Sequence, residues 1–255
     1  MAFGRAVLAA EWIKIRSVRS TVWALGLALV LSAGLGALIA RSFRADIEDV
    51  VNFHPVVAGL YSVTIGQLAL VVFGVLLVGS EYSSGTIRAS LAAVPIRGAF
   101  FGGKVLAGGV VALGVSVVTV PVTFLVAQAA LGPYGTTLGA DGVLPSLVGA
   151  CVYLTLICVF SIGVATLLRS SVVSLGILLP LLFLGSQGLG NVPVLKSVLQ
   201  YFPDQAGMVL MRIGGPQEDP RFGQDYGPWG ALALLVAWTS VALLAGYVTL
   251  RRRDT

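Results

Sequence analysis

The chain has 255 residues, 57% of them apolar and only 11% charged, with a mean hydropathy of +0.95 and a formal net charge of +5. Soluble domains carry about 25% charged residues, so a water-soluble globular enzyme is excluded. The apolar residues fall in long blocks, and a hydrocarbon core of about 30 Å asks for roughly 20 helical residues.

Residues 3–20, FGRAVLAAEWIKIRSVRS, predict a helical lead-in with Leu8, Trp12, Ile15 and Val18 on one face and Glu11 and Arg19 close beside it. Lys14, Arg16 and Arg19 suit an anionic leaflet, and Trp12 and Trp23 suit the membrane interface. The segment is expected to lie on membrane lipid; the alternative is a basic flank that only fixes topology. Six apolar blocks follow, at about 22–40, 56–78, 105–131, 143–168, 172–189 and 229–250. None holds an interior Asp, Glu, Lys or Arg, each of which costs about 2.5–3.5 kcal/mol to insert. The fifth is weakest, with Pro180 inside it and Gln187 near its end. The first has 19 residues, above the 7–15 of a signal-peptide core, and no clear cleavage site follows, so it reads as a retained anchor. These blocks predict an all-α membrane protein of six spans forming a single domain over 1–255.

Between the second and third blocks runs GSEYSSGTIRASLAAVPIRGAFFGGK, residues 79–104. It is too polar for a bilayer yet predicts a short amphipathic helix at 84–94, with Ser83 or Ser84 as cap, Ile87, Leu91 and Val94 at i, i+4 and i+7, and Pro95 as its stop. Between the fifth and sixth blocks, SVLQYFPDQAGMVLMRI (197–213) is too apolar for a solvated loop and too broken for a span. It predicts a re-entrant or surface-lying hairpin, since irregular backbone at membrane depth needs protein cover. Arg169, Ser170 and Ser171 predict a tight turn.

An even number of spans puts both termini on one side. That side collects Arg5, Lys14, Arg16, Arg19, Arg88, Arg97, Lys104, Arg169, Arg251, Arg252 and Arg253, eleven of sixteen basic residues against three of eleven acidic ones. The positive-inside rule makes the termini and 79–104 cytoplasmic. The basic excess is therefore topological, and no nucleic-acid partner is expected.

Chemistry-bearing motifs are absent or broken. Residues 98–105, GAFFGGKV, match a phosphate loop except that Val105 stands where Ser or Thr must reach Mg²⁺, and a predicted span follows. His54 is the one histidine, so no H-E-x-x-H zinc site can form. Cys151 and Cys158 lie seven apart on one predicted helix, too far for a disulfide, and read as small apolar packing. Gln67, Gln128, Gln187, Thr119 and Thr123 are the notable polar groups in the spans; they either join helices by hydrogen bonds or line a pathway. A proton-coupled carrier needs ionisable relays in the membrane, so energy for transport is expected from a partner.

Glu81 to Arg97, EYSSGTIRASLAAVPIR, followed by Lys104 at the next helix, resembles the membrane subunits of type-2 ABC (ABC-2) exporters, whose pattern is a Glu-x-x-x-Gly-Thr core, a Leu, a Pro with a basic residue behind it, and a Lys. Glu11, Trp12, Lys14, Arg16 and Arg19 ahead of Trp23 resemble that family's interfacial helix, and Leu167, Leu168, Arg169 and Ser170 its turn between spans four and five. The likeness covers the chain in layout and about 30 residues in distinctive motif. It implies two such subunits, homo- or heterodimeric, with two separate cytoplasmic ABC ATPase subunits that hold ATP and Mg²⁺; no cofactor or metal is expected in this chain. It also implies that 84–94 is a coupling helix seated on the ATPase through Glu81, Ser84, Gly85, Thr86, Ile87, Arg88, Leu91, Pro95, Arg97 and Lys104. Glu81 is expected to anchor it through Lys14 or Arg16, or else to be a simple helix-end charge. The 197–213 hairpin is expected to form an outer gate.

The function expected is the permease of an exporter for an amphipathic or apolar substrate in a bacterial plasma membrane. The alternatives are a stand-alone carrier or channel, and a non-transporting anchor or immunity protein.

Overall fold

The computed structural model describes residues 12–14, 19–45, 54–94, 96–188, 192–214 and 223–253. Among them no strand occurs. Trp12, Ile13 and Lys14 are helical. The α-helices are α1 (Arg19–Ala45), α2 (Pro55–Leu60), α3 (Val63–Ser83), α4 (Ile87–Ala93), α5 (Arg97–Leu131), α6 (Val143–Leu168), α7 (Ser171–Ser186), α8 (Pro193–Leu199), α9 (Pro203–Leu210) and α10 (Pro228–Arg253). Helices dominate because a backbone without water to bond must satisfy its own N–H and C=O groups.

Five stretches are long and apolar enough to cross a membrane: Val22–Ala45, Pro55–Ser83, Arg97–Tyr134, Val143–Leu168 and Pro228–Arg252. The expected fifth span, 172–189, is the departure. Its helix α7 has 16 residues, about 24 Å at 1.5 Å per residue, and falls short. It runs through Pro180 unbroken and ends instead at Gln187, whose Nε2 donates to Thr64 Oγ1 at 3.3 Å, and at Gly188, whose φ of +121° a helix cannot take.

Three other boundaries differ from the expected ones. The second block is interrupted at Tyr61 and Ser62, where the Thr64 hydroxyl donates to the Tyr61 carbonyl at 2.6 Å. Its continuation α3 runs to Ser83, beyond the expected 78, with the Ser80 and Ser84 hydroxyls donating to carbonyls one turn back. Helix α5 begins at Arg97, eight residues before the expected 105. The connection is therefore only residues 84–96, much shorter than the 79–104 stretch its polarity suggested.

Helix α6 is the hub, packed on α3, α5, α9 and α10, while α1 lies on α3 and α5. Tyr153, Leu154 and Ile157 of α6 pack with Phe73 of α3 and Phe124 of α5 in one buried core. Small residues allow the closest crossings. A Cβ on Gly163 would stand 2.7 Å from the Ala242 carbonyl carbon, and one on Gly246 would stand 2.7 Å from the Gly163 oxygen. The opposite face of α5 exposes Leu106, Val110, Leu113 and Val117 at helical spacing, as a lipid-facing stripe requires.

The expected hairpin at 197–213 is two short helices, α8 and α9, each started by a proline whose missing N–H costs nothing at a first helical position. Every residue of α9 from Pro203 to Val209 is buried. The turn at 169–171 forms as expected: Arg169 takes a left-handed φ of 56° and the Ser170 Oγ accepts from the Val173 N–H, capping α7.

Candidate functional site

Glu81 sits in the last turn of α3, where the helix dipole disfavours a carboxylate. Two ammonium groups offset that cost: Lys14 Nζ and Lys104 Nζ each lie 2.8 Å from Glu81 Oε1. The Lys104 side chain is 1% exposed and the Lys14 side chain 43%, so only the first pair is deeply desolvated. Lys104 also reaches the Leu77 carbonyl at 3.4 Å and lies 5.1 Å over the Phe100 ring. Three elements distant in sequence, the segment ahead of α1, the end of α3 and the start of α5, thus meet on one carboxylate. Glu81 Oε2 is buried without a hydrogen-bond partner.

The connection that follows is shaped by Gly85 at φ +73°, a left-handed value that favours glycine. Ser83 and Ser84 do not cap the next helix as expected; Ser83 ends α3, and the Ser84 hydroxyl bonds Ser80 and lies 2.9 Å from that of Thr86. Thr86 is the N-cap residue, and α4 is the seven residues 87–93 rather than 84–94. Ile87 is buried among Phe100, Phe101 and Leu250, with Leu91 and Val94 half-buried against them. The apolar face therefore docks on the bundle. The face turned outward carries Arg88, Ala89, Ala92 and Ala93, with Ile96 beyond it. Arg97 Nη1 donates to the carbonyls of Leu250 and Arg251 at 3.0 and 2.7 Å, tying the connection to the end of α10. Arg19 opens α1. Glu11, Arg16 and Pro95 lie outside the described residues.

The polar groups of the spans separate. Gln67 Nε2 donates to the Thr64 carbonyl at 2.6 Å and its Oε1 accepts from the Tyr153 hydroxyl, joining α3 to α6. Gln128, at the far end of α5, donates to the Pro55 carbonyl at 3.0 Å and accepts from the Thr136 N–H at 2.8 Å. Both glutamines join elements. Thr119 and Thr123 are buried on α5 with hydroxyls that have no partner.

One buried group escapes a reading of motifs. Asp204, at the second position of α9, is 1% exposed. Gln205 Nε2 bonds both Asp204 Oδ2 at 3.0 Å and the Gly185 carbonyl at 2.8 Å, while Asp204 Oδ1 has no partner. The dipeptide Asp-Gln after Phe-Pro inside an apolar stretch was the only signal of it in the sequence. Among the described residues no cluster of metal-ligating side chains occurs.

No curated protein matches the chain in sequence. A bundle of apolar helices, with a short amphipathic helix and a buried carboxylate–lysine centre at the end that also holds the C-terminal helix tip, is the setting in which a family assignment gains structural meaning. The family model described as ABC-2 family transporter protein matches residues 7–185, and the chain belongs to that family.

Proposed function

We propose that the chain is the permease of an ATP-binding-cassette exporter that carries an amphipathic or apolar substrate outward, with α4 as the surface on which the ATPase acts. Permeases of this family generally work with an ATPase partner. In this reading α7 and the α8–α9 hairpin together complete a sixth crossing, both termini and the 84–96 connection face the cytoplasm, and two permease subunits enclose the path in a bacterial plasma membrane. The hairpin serves as the outer gate.

The observation that carries the reading is the shared carboxylate of Glu81, held by Lys14 and Lys104 at 2.8 Å. A force applied to α4 needs a stiff connection to several spans at once. Removing one partner of a buried ion pair costs about 3–5 kcal/mol, so this centre resists bending. Ile87 fixes α4 to α5 and α10 below it, and the outward residues Arg88, Ala89, Ala92 and Ala93 remain for a partner.

The test is co-purification of an ABC ATPase with the full chain from its native membrane, followed by ATP-driven efflux from reconstituted vesicles. Arg88→Glu is expected to lose ATPase association and efflux while membrane insertion stays normal. Efflux by the chain alone on an ion gradient, or normal ATP-driven efflux by the variant, would refute the reading.

A further inference from the structure

Helix α9 ends in a turn that favours glycine and carries arginine instead. The Ile213 N–H donates to the Met208 carbonyl and the Arg212 N–H to the Val209 carbonyl, both at 3.0 Å. These are the two bonds of a Schellman ending, in which the residue just past the helix cap is left-handed and usually glycine. Arg212 takes that place at φ 59°. A side chain there is strained, so the turn itself gives no reason for an arginine. Internal bonding gives none either. Among the described residues no hydrogen bond, ion pair or ring contact holds the guanidinium, and the side chain is exposed.

The guanidinium stands at the mouth of an apolar groove. Its Nη1 lies 3.6 Å from where a Cβ on Gly142 would be, one turn ahead of Pro145 on α6. From Pro145 to Val152 the groove follows α6 for about 10 Å. Trp229 and Leu232 of α10 form its other wall, its volume is about 260 Å³, and Arg212 is its only charged lining residue. Val148 and Trp229 are both exposed, so the groove opens on the outer surface of the bundle. A dry cavity of about 150 Å³ takes benzene, so this one has room for several methylenes of one acyl chain. Asp141, beside Gly142, and Asp225, across an adjoining cavity, form no ion pair with Arg212. Asp225 is instead held by Gln200 Nε2 at 2.6 Å and the Tyr201 hydroxyl at 3.4 Å.

We infer that the groove between α6 and α10 binds an anionic phospholipid, its phosphate on Arg212 and one acyl chain along Val148, Val152 and Leu232. Charge complementarity selects this occupant, because a guanidinium meets a phosphate with two parallel hydrogen bonds. The setting agrees: Trp229 lies in the first turn of α10, where a span leaves the headgroup region and tryptophan is favoured. A zwitterionic headgroup brings its own ammonium toward the same guanidinium. A free phosphate leaves the apolar walls uncovered. The inference goes beyond the export reading and stands without it, since lipid binding needs neither an ATPase nor movement.

The experiment is native mass spectrometry of the delipidated full chain in detergent, titrated with phosphatidylglycerol or phosphatidylcholine of identical acyl chains. One saturable phosphatidylglycerol per chain is expected, bound about fivefold more tightly than phosphatidylcholine, as one arginine near a headgroup provides. Arg212→Gly suits the left-handed turn and should bring phosphatidylglycerol down to the phosphatidylcholine level. Leu232→Trp, which fills the groove, should remove the preference. Equal binding of the two lipids by the unaltered chain, or an undiminished preference in Arg212→Gly, would overturn the inference. So would displacement of the lipid by excess inorganic phosphate, which would assign the site to a soluble anion, or a dimer of the chain that excludes lipid, which would assign the groove to a second copy. The comparison of the two lipids needs no substitution, so it decides the matter even if a variant fails to fold. An intact lipid preference with absent ATP-driven efflux would refute the export reading alone.

Discussion

Lys104 Nζ lies 2.8 Å from Glu81 Oε1 with 1% of the lysine side chain exposed, a desolvated ion pair that joins the end of α3 to the start of α5. Glu81→Ala leaves that ammonium buried and is expected to cost about 3–5 kcal/mol. Replacing both, as Glu81→Gln with Lys104→Met, removes the two charges together and should recover most of the loss. Lys14→Met acts on a pair whose lysine is 43% exposed, and about 1 kcal/mol or less is expected. Thermal unfolding of the purified chain in detergent, arranged as a double-mutant cycle, measures all three; a double variant as unstable as Glu81→Ala would show that the pair is not the source of the effect.

Arg97 clamps the tip of α10 through the carbonyls of Leu250 and Arg251. These are among the last carbonyls of a helix, which have no partner within it, and a cation there also favours the dipole. Arg97→Leu is expected to cost about 1 kcal/mol, the side chain being half-buried. The loss should be local. Amide hydrogen exchange should quicken in the last turn of α10 and in α4, and stay unchanged around Phe73 and Ile157; uniform quickening throughout would contradict a local clamp.

The sequence exposed the fold through its coarsest physics. Block 143–168 coincides with α6 because its ends are set by Gly142 and by the left-handed turn at Arg169, both local effects. The ends of α3 and α5 were hidden because polar residues there, Glu81 and Lys104, are made compatible with helix and burial by each other, a long-range pairing that composition does not display. The end of α7 falls where Gln187 meets Thr64, again across the bundle, and where Gly188 turns to a positive φ. For the site, the period of Ile87, Leu91 and Val94 was legible, but period alone gives a face and not what covers it; that face lies on Phe100 and Leu250. Asp204 was invisible because its surroundings come from α6, α7 and α9 together.

Gly163 sets the closest approach of α6 to α10, its would-be Cβ meeting the Ala242 and Leu243 backbone at 2.7–2.9 Å. Backbone cannot rotate aside as a side chain does, so Gly163→Ala must separate the helices. About 1–3 kcal/mol of destabilisation is expected. Gly26→Ala in α1, where no atom lies within 4 Å of the added Cβ, should be neutral or slightly stabilising through helix propensity. Paired melting curves of the two variants check the contrast, and equal effects would mean that the crossing tolerates a methyl group.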